Sequence, residues 1–568
     1  MPPNGGSGLF SVGVEFRGRS PSPFPWHHSR IFPGLCFPFP TGSPNWAPGA
    51  THAPHHVPAE WADKDKGKFD QGWDQLRQET LERQKRLGVV PPDTLLTERH
   101  GEIPAWDEIA DDMKPVLVRQ MEVYAGFLEH VDHHLGQLVD GLADLEILDN
   151  TLIYYILGDN GASAEGSLQG TFNEMITLQG FGHLETADYL RERIDKLGSV
   201  EAYNHYAVGW AHAMCTPYQW TKHVASHFGG TRNGTIVHWP AGIHAKGELR
   251  NQFHHVIDLA ATVLEAAGLP QPLFVNGVQQ KPLEGVSMLY SFNEKDAAER
   301  HETQYFEMIG NRGTYHKGWT AVTRHRTPWK TGAVQLPPFD DDVWELYNTN
   351  ADWSQARDLA QEQPGKLKEL QRLWLIEATK YNVLPLDDRF AERANATLAG
   401  RPQLAKGKRQ LLFGGMGRLS EGSIIDYGGS IGGWALYAKA GQLRYAYNFF
   451  GLTTTIVEGQ AIPPGRHQVR VEFAYDGNGI AKGGGLSLYL DGNKVGEGQN
   501  DQTEPFVFTA DETLDIGFES GSCVTTDYSS NRFNGEVNWV QIDVGEDAND
   551  LDHFLNHQER LKIAMALH

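Results

Sequence analysis

The feature that most narrows the fold is an apolar run, Thr151-Leu-Ile-Tyr-Tyr-Ile-Leu157, that stops abruptly at Gly158-Asp-Asn-Gly161. A short apolar run without polar alternation predicts a strand buried on both faces, the pattern of a central strand in a parallel sheet. Upstream, Met121, Tyr124, Leu128, Val131, Leu135, Leu138 and Leu142 recur every three or four positions. That period predicts a long helix from Asp111 to Ala143 with one stripe turned to a core. A helix feeding a buried strand is an α/β unit.

The rest of the middle of the chain extends this pattern. A charged helical segment is expected over Pro58–Leu87, and a second strand over Gly234–Trp239, stopped by Pro240. Helix His254–Ala267 ends at Gly268-Leu-Pro270, and strands follow at Thr303–Met308 and Trp319–Thr323. Lys366–Tyr381 reads as an amphipathic helix. After about Arg401 glycine rises and strands alternate, as in His467–Tyr475. Leu486–Leu490 runs into Asp491-Gly492-Asn493, a hairpin signal. This predicts an all-β sandwich closed by a helix over Asp550–Leu567. The stretch 1–45, rich in Pro, Gly, Ser and Phe, reads as irregular or unrelated to the rest of the chain. Three regions result: 1–45, an α/β unit over 46–400, and a β-sandwich module over 401–568.

Charge and cysteine content exclude some functions. The net charge of −23 opposes phosphate backbones and anionic membranes, so nucleic acid and membrane surfaces are not expected partners. Cys36, Cys215 and Cys523 are odd in number and far apart, which excludes a disulfide framework and a cysteine zinc site. Neither a signal peptide nor a transmembrane run is evident, which leaves the compartment, cytoplasmic or periplasmic, open. An enzyme of this charge acting on anions needs a metal or a local cluster of cations.

Candidate residues follow from residue type. Asp159 and Asn160 stand beyond the carboxyl end of the apolar run, where ligands of open α/β sheets bind. A carboxylate and an amide oxygen together suit Ca²⁺ or Mg²⁺. The tetrapeptide equally makes a plain turn. His55 and His56 lie in a proline-stiffened loop, Thr51-His-Ala-Pro-His-His-Val-Pro58, which reads either as a rigid imidazole mount or as surface histidines in a turn. Lys222, shortly before Gly229-Gly230, is either an anion clamp or a solvated lysine. Arg232 reads as structural. His130, Asp132, His133 and His134 form a tempting metal cluster, but their place beside the helix stripe favours a polar helix face.

Taken together, these segments resemble the bacterial arylsulfatase branch of the sulfatase family, in the alkaline-phosphatase-like superfamily. The matching pieces are Ala47–His56, Gly158–Gly161, Gly229-Gly-Thr-Arg232 with Ile236–Pro240, and Phe253–Leu259. Tyr305-Phe-Glu-Met308 with Gly310-Asn-Arg-Gly313, and Trp344-Glu-Leu-Tyr347, complete the set. The resemblance covers about Trp46 to Arg389, and the β-rich tail is similar to the C-terminal module of large members. It implies an α/β fold, with an alkaline-phosphatase-like parallel or mixed sheet flanked by helices. It further implies hydrolysis of small-molecule sulfate esters at a calcium site. Asp159 and Asn160 match half of the metal site. His55, with His56 as the alternative, and Lys222 match residues that contact the sulfate. The family's nucleophile is a formylglycine made from Cys/Ser-x-Pro-x-Arg.

The sequence departs from that pattern in two places. No Asp-Asp pair lies upstream of His55, and no Cys/Ser-x-Pro-x-Arg is present; Cys36-Phe-Pro-Phe-Pro40 has proline where arginine belongs. The expected sheet is therefore incomplete, the chain reads as shortened at its start, and activity is expected to be impaired. Two other readings stay open. One is a phosphodiester or phosphonate hydrolase of the same superfamily. The other is a non-catalytic glycan- or partner-binding protein using sandwich aromatics such as Trp434, Tyr437 and Tyr445. The oligomeric state is not legible.

Overall fold

The computed structural model describes residues 9–17, 35–36, 45–46, 48–158, 160–330, 336–389, 409–412, 422–477, 481–509, 512–528, 533 and 535–544. The expected C-terminal helix over 550–567 lies outside them.

The long helix spans Lys114–Asp144, with Pro115 in its first turn, where the missing N–H costs nothing. Its N-terminal half is buried through Val116, Leu117, Met121 and Val123, whereas Leu128 and Leu138 of the expected stripe are exposed. Gly126 sits where a Cβ would come within 2.6 Å of the backbone at Trp61, so the short helix Ala59–Ala62 crosses in direct backbone contact. Helix Gly72–Leu87 ends on Gly88 at φ 71°, a left-handed cap. It packs Trp73 edge-on to Trp106 and Trp210 at centroid distances of 4.7 and 5.4 Å.

The sheet around the apolar run differs from expectation. Ile153–Ile156 pairs with Thr235–His238 in antiparallel register, Ile153 opposite His238. The run is half-buried rather than interior, and Ile236 beside it is exposed. The α/β class holds, but among the described residues this sheet is a two-stranded antiparallel pair. A continuous apolar run fits any strand meant to be covered on both faces; it does not specify the direction of its neighbour. Val256, Ile257 and Val263, on and before helix Asp258–Ala266, are also exposed.

A four-stranded antiparallel sheet follows, ordered Trp344–Asn348, Trp319–Thr323, Asn311–His316, Thr303–Met308. Helix Pro364–Lys380 covers it with Leu370, Trp374 and Ala378.

The C-terminal region is a sandwich of two sheets. One runs Thr453–Ala461, Gln442–Phe449, Gly432–Lys439, Gly422–Gly429, Leu514–Ile516. The other runs Arg409–Leu412, Glu536–Val544, Leu9–Arg17, His467–Tyr475, Gly484–Leu490, Asn493–Asn500. The hairpin turn at Asp491 and Gly492 has φ 49° and 82°, the doubly positive geometry expected of Asp-Gly. Residues 9–17 correct the reading of the N-terminal stretch as irregular. They form an interior strand, antiparallel to both neighbours, with Val12 opposite Val471 and Ile542. The signal was present: Phe10, Val12, Val14 and Phe16 alternate with Ser11, Gly13, Glu15 and Arg17.

The aromatics considered for sugar stacking are core residues; Trp434, Tyr437 and Tyr445 are all buried. The sandwich is bolted to the α/β region by helix Glu174–Leu178, whose Met175 and Ile176 enter the sandwich core. Asn173 caps that helix and donates to the carbonyls of Ile431 (3.1 Å) and Phe450 (3.0 Å).

Candidate active site

The Gly158–Gly161 turn is held by backbone geometry. Leu157 N–H donates to Gly234 O (3.0 Å), and Gly161 N–H to Asn233 Oδ1 (3.2 Å). A side chain at Gly161, whose φ is 79°, would come 2.0 Å from Gly229 O, and one at Gly229 would come 2.2 Å from Gln219 O, which explains glycine at both positions. Lys222 N–H donates to Ala162 O at 3.0 Å, so the lysine is moored beside this turn.

The Lys222 ammonium donates to Glu165 Oε2 (2.9 Å) and meets His52 Nε2 at 3.3 Å. His52 Nδ1 donates to Ala53 O (2.8 Å), which leaves Nε2 as the acceptor for the lysine. Glu165 also accepts from Ser163 Oγ (2.7 Å) and lies 3.2 Å from His223 Nε2. Burial alone would raise the Glu165 carboxyl, but the His223 hydrogen bond and the Lys222 charge outweigh it and hold it well below the usual carboxylate range. Glu165 is therefore an anion fixed between two basic side chains.

A cavity of about 60 Å³ opens against this cluster, lined by Glu165, His223, Leu178, Asn311, Arg326 and Thr327 among others. Asn311 ties its floor together: its amide donates to His223 O (2.8 Å), and its Oδ1 accepts the N–H groups of His325 and Arg326.

The expected site residues fare unequally. Lys222 is in the cluster. Asn160 is exposed, and Asp159 lies outside the described residues. His55, expected to contact the sulfate, makes no hydrogen bond to Lys222, Glu165 or His223 among the described residues. It is buried among His205, Tyr206 and Tyr124, with ring centroids 4.9, 5.0 and 5.1 Å away. Burial, and next His205, hold its imidazole well below the ordinary value, so it is neutral packing. The alternative, His56, bonds Ala202 O at 2.6 Å. His52 takes the place beside Lys222. Three histidines in one eight-residue loop offer the same chemistry, and spacing does not rank them. No sequence motif singles out Glu165; its local partner is Ser163, two residues before it. Arg232 is structural as expected, stacking on the Trp353 ring at 3.7 Å.

A calcium ion, which the sequence resemblance implies, does not fit the described residues. Such an ion needs about six to eight oxygens. Among the described residues no group of three or more His, Cys, Asp or Glu side chains could hold a metal ion. Glu165, the carboxylate nearest Lys222, is committed to the ammonium, His223 and Ser163, and that ammonium would repel a cation. Among the described residues Cys215 offers no activated nucleophile either. Cys215-Thr-Pro-Tyr-Gln219 is a second string of the Cys-x-Pro kind, with glutamine in place of arginine. Its thiol donates to Gly229 O (3.3 Å), and burial pushes it up to about 11, so it stays protonated at neutral pH. Cys36 lies on the two-residue strand Leu35–Cys36, paired with Asn45–Trp46.

Among families of known proteins, the sulfatase model matches residues 46–269. The chain is 28% identical over 344 residues to an uncharacterized sulfatase of Schizosaccharomyces pombe, a match covering 60% of this chain and 58% of that one. It is 27% identical over 243 residues to the arylsulfatase of Klebsiella aerogenes, covering 42% and 49%. The chain thus spans about half the length of the curated relatives it matches. The solved structure of a putative sulfatase from Bacteroides fragilis superposes loosely: 12% identity, coverage of 57% and 51%, and a TM-score of 0.30.

Proposed function

We propose, from the sulfatase model's match to residues 46–269, that this chain is a sulfatase-family protein that acts on sulfate monoesters, as a sulfuric ester hydrolase of the arylsulfatase type, and seats the sulfate oxygens on Lys222 and His52. The observation behind this reading is the pairing of Lys222 Nζ with His52 Nε2 at 3.3 Å, on the ammonium that also donates to Glu165, a residue of the cavity wall. An ammonium has three donors. Among the described residues two are used, by Glu165 and His52, so the third is available to an anionic oxygen. Protonation of His52 Nε2 would turn that nitrogen from acceptor to donor and add a second contact to the same anion. Glu165 keeps the ammonium in place through its 2.9 Å contact. Positive charge converging on sulfate oxygens stabilises the charge that develops as the ester bond to sulfur breaks.

No step is assigned to a metal. In keeping with the absence of a Cys/Ser-x-Pro-x-Arg motif, we propose that sulfate esters bind to this chain but turn over slowly. Calorimetric titration with inorganic sulfate and 4-nitrophenyl sulfate tests the binding. Lys222→Ala is expected to weaken both at least tenfold; equal affinity in the variant would remove Lys222 from the site. Release of 4-nitrophenol should be no faster for the wild type than for Asp159→Ala. A burst of turnover that the substitution abolishes would show a working metal-dependent centre instead. A phosphonate monoester in the same titration separates the phosphorus-ester alternative, which predicts tighter binding of the phosphonate.

A further inference from the structure

The long helix carries His130 and His134 one turn apart on the same face. Their Nε2 atoms face each other at 3.2 Å. Two metal–imidazole bonds of about 2.0–2.1 Å, meeting at a right or tetrahedral angle, put their nitrogens about 2.9–3.4 Å apart. The pair is thus already at the spacing of two adjacent ligands on one ion.

The tautomers agree with this. His134 Nδ1 is 2.9 Å from Gln137 Oε1, an acceptor, so Nδ1 bears the proton and Nε2 keeps its lone pair. In the metal-free state His130 Nε2–H donates to that lone pair. On metal binding the proton moves to His130 Nδ1, both Nε2 lone pairs turn to the ion, and no net proton is released. Gln137 plays the part of the outer hydrogen-bond partner that orients a ligating histidine.

The mount is rigid. The helix is pinned to Ala59–Ala62 at Gly126, and Trp61 packs edge-on to His130 with ring centroids 5.1 Å apart. Glu60 and Lys64, the charged neighbours acting on His130, have opposite signs.

We propose that His130 and His134 form a surface site for a divalent transition-metal ion of the Zn²⁺ and Cu²⁺ class, with water completing its coordination. Imidazole ligands suit these ions, whereas Ca²⁺ and Mg²⁺ prefer oxygen. The site is independent of the Lys222 cluster and of any sulfatase activity.

The test is calorimetric titration of the untagged full chain with ZnCl₂, and with CaCl₂ in parallel. The site predicts one Zn²⁺ bound per chain, no competition from Ca²⁺, and at least tenfold weaker binding in both His130→Ala and His134→Ala. Gln137→Leu should weaken it about tenfold while leaving both ligands in place. Electron paramagnetic resonance of the Cu²⁺-loaded chain should show coupling to two imidazole nitrogens. Circular dichroism of the variants verifies that the helix is intact. If folded His134→Ala binds Zn²⁺ like the wild type, the ion sits elsewhere among the 25 histidines and the proposal is wrong. The same holds if millimolar Zn²⁺ does not bind to the wild type.

Discussion

Lys222 was legible in the sequence and its partners were not, because a side chain's neighbours depend on backbone turns that spacing does not encode. Within the histidine loop, His55 N–H donates to Asn204 O (3.2 Å) and Val57 N–H to Gly198 O (3.1 Å), which turns the His55 ring inward and leaves His52 exposed. The two histidines should therefore respond differently. His52→Ala is expected to reduce sulfate affinity without loss of stability. His55→Ala should cost about 2–4 kcal/mol of unfolding free energy by opening a cavity, with sulfate affinity per folded molecule unchanged; titration and urea denaturation read the two effects. Asp426 offers a second contrast. It is buried, its Oδ2 has no hydrogen-bond partner, and Ser423 Oγ donates to Oδ1 at 2.5 Å. Burial first, then Glu519, Asp515 and Glu512, push its carboxyl up to about 8, against the Ser423 bond. Below about pH 4 the folded and unfolded carboxyls are both protonated and the group is neutral to stability. Between about pH 4 and 8 only the folded form holds the proton, so its contribution becomes steadily less favourable as pH rises. Asp426→Asn should stabilise the chain by about 1–3 kcal/mol at pH 8 and by nothing at pH 4. Equal melting shifts at both pH values would contradict the assignment.

At the level of elements, helices were easier to read than sheets. Helix Lys114–Asp144 was expected within three residues at its start and one at its end, because a 3.6-residue period is local. Its contact with Ala59–Ala62 depends on a single missing side chain. Gly126→Val should force the two backbones apart and cost about 1–3 kcal/mol, read as a lower denaturation midpoint. Strand partners depend on distant chain. Nothing near Leu9–Arg17 announces that it lies between His467–Tyr475 and Glu536–Val544. Deleting residues 1–20 would strip the ladder partners from one side of each neighbouring strand, leaving open backbone that invites aggregation. The expected results are a lower melting temperature and concentration-dependent light scattering, both relieved by a synthetic Leu9–Arg17 peptide. A deletion variant as stable and monodisperse as the full chain would show that the sheet does not need this strand.

Over the whole molecule, the sandwich and the α/β region share a core. Asn173 is the rivet: it satisfies the N-terminus of Glu174–Leu178 and two sandwich carbonyls, while Gln179 Nε2 donates to Val507 O at 2.6 Å. Asn173→Ala removes the cap and leaves both carbonyls buried without that donor, a cost of about 2–4 kcal/mol. Differential scanning calorimetry should then resolve two transitions where the wild type has one; a single transition in both would mean that the regions are coupled elsewhere. Leu178, at the end of the same helix, lines the cavity, so the seating of the sandwich bears on the shape of the site. Among the described residues no helix is long and apolar enough to cross a membrane.

Periodicity and motif chemistry, both local, were sufficient for the α/β class, the sandwich, the helices within the described residues and the Asp-Gly hairpin. Four things waited on the folded chain: the antiparallel partner of the apolar run, the N-terminal strand inside the sandwich, the contact of His52 with Lys222, and the ion pair of Lys222 with Glu165. Each is a contact between residues far apart in sequence or a choice among chemically equal neighbours. Side-chain type is written in the sequence; direction and distance arise only when the backbone closes on itself.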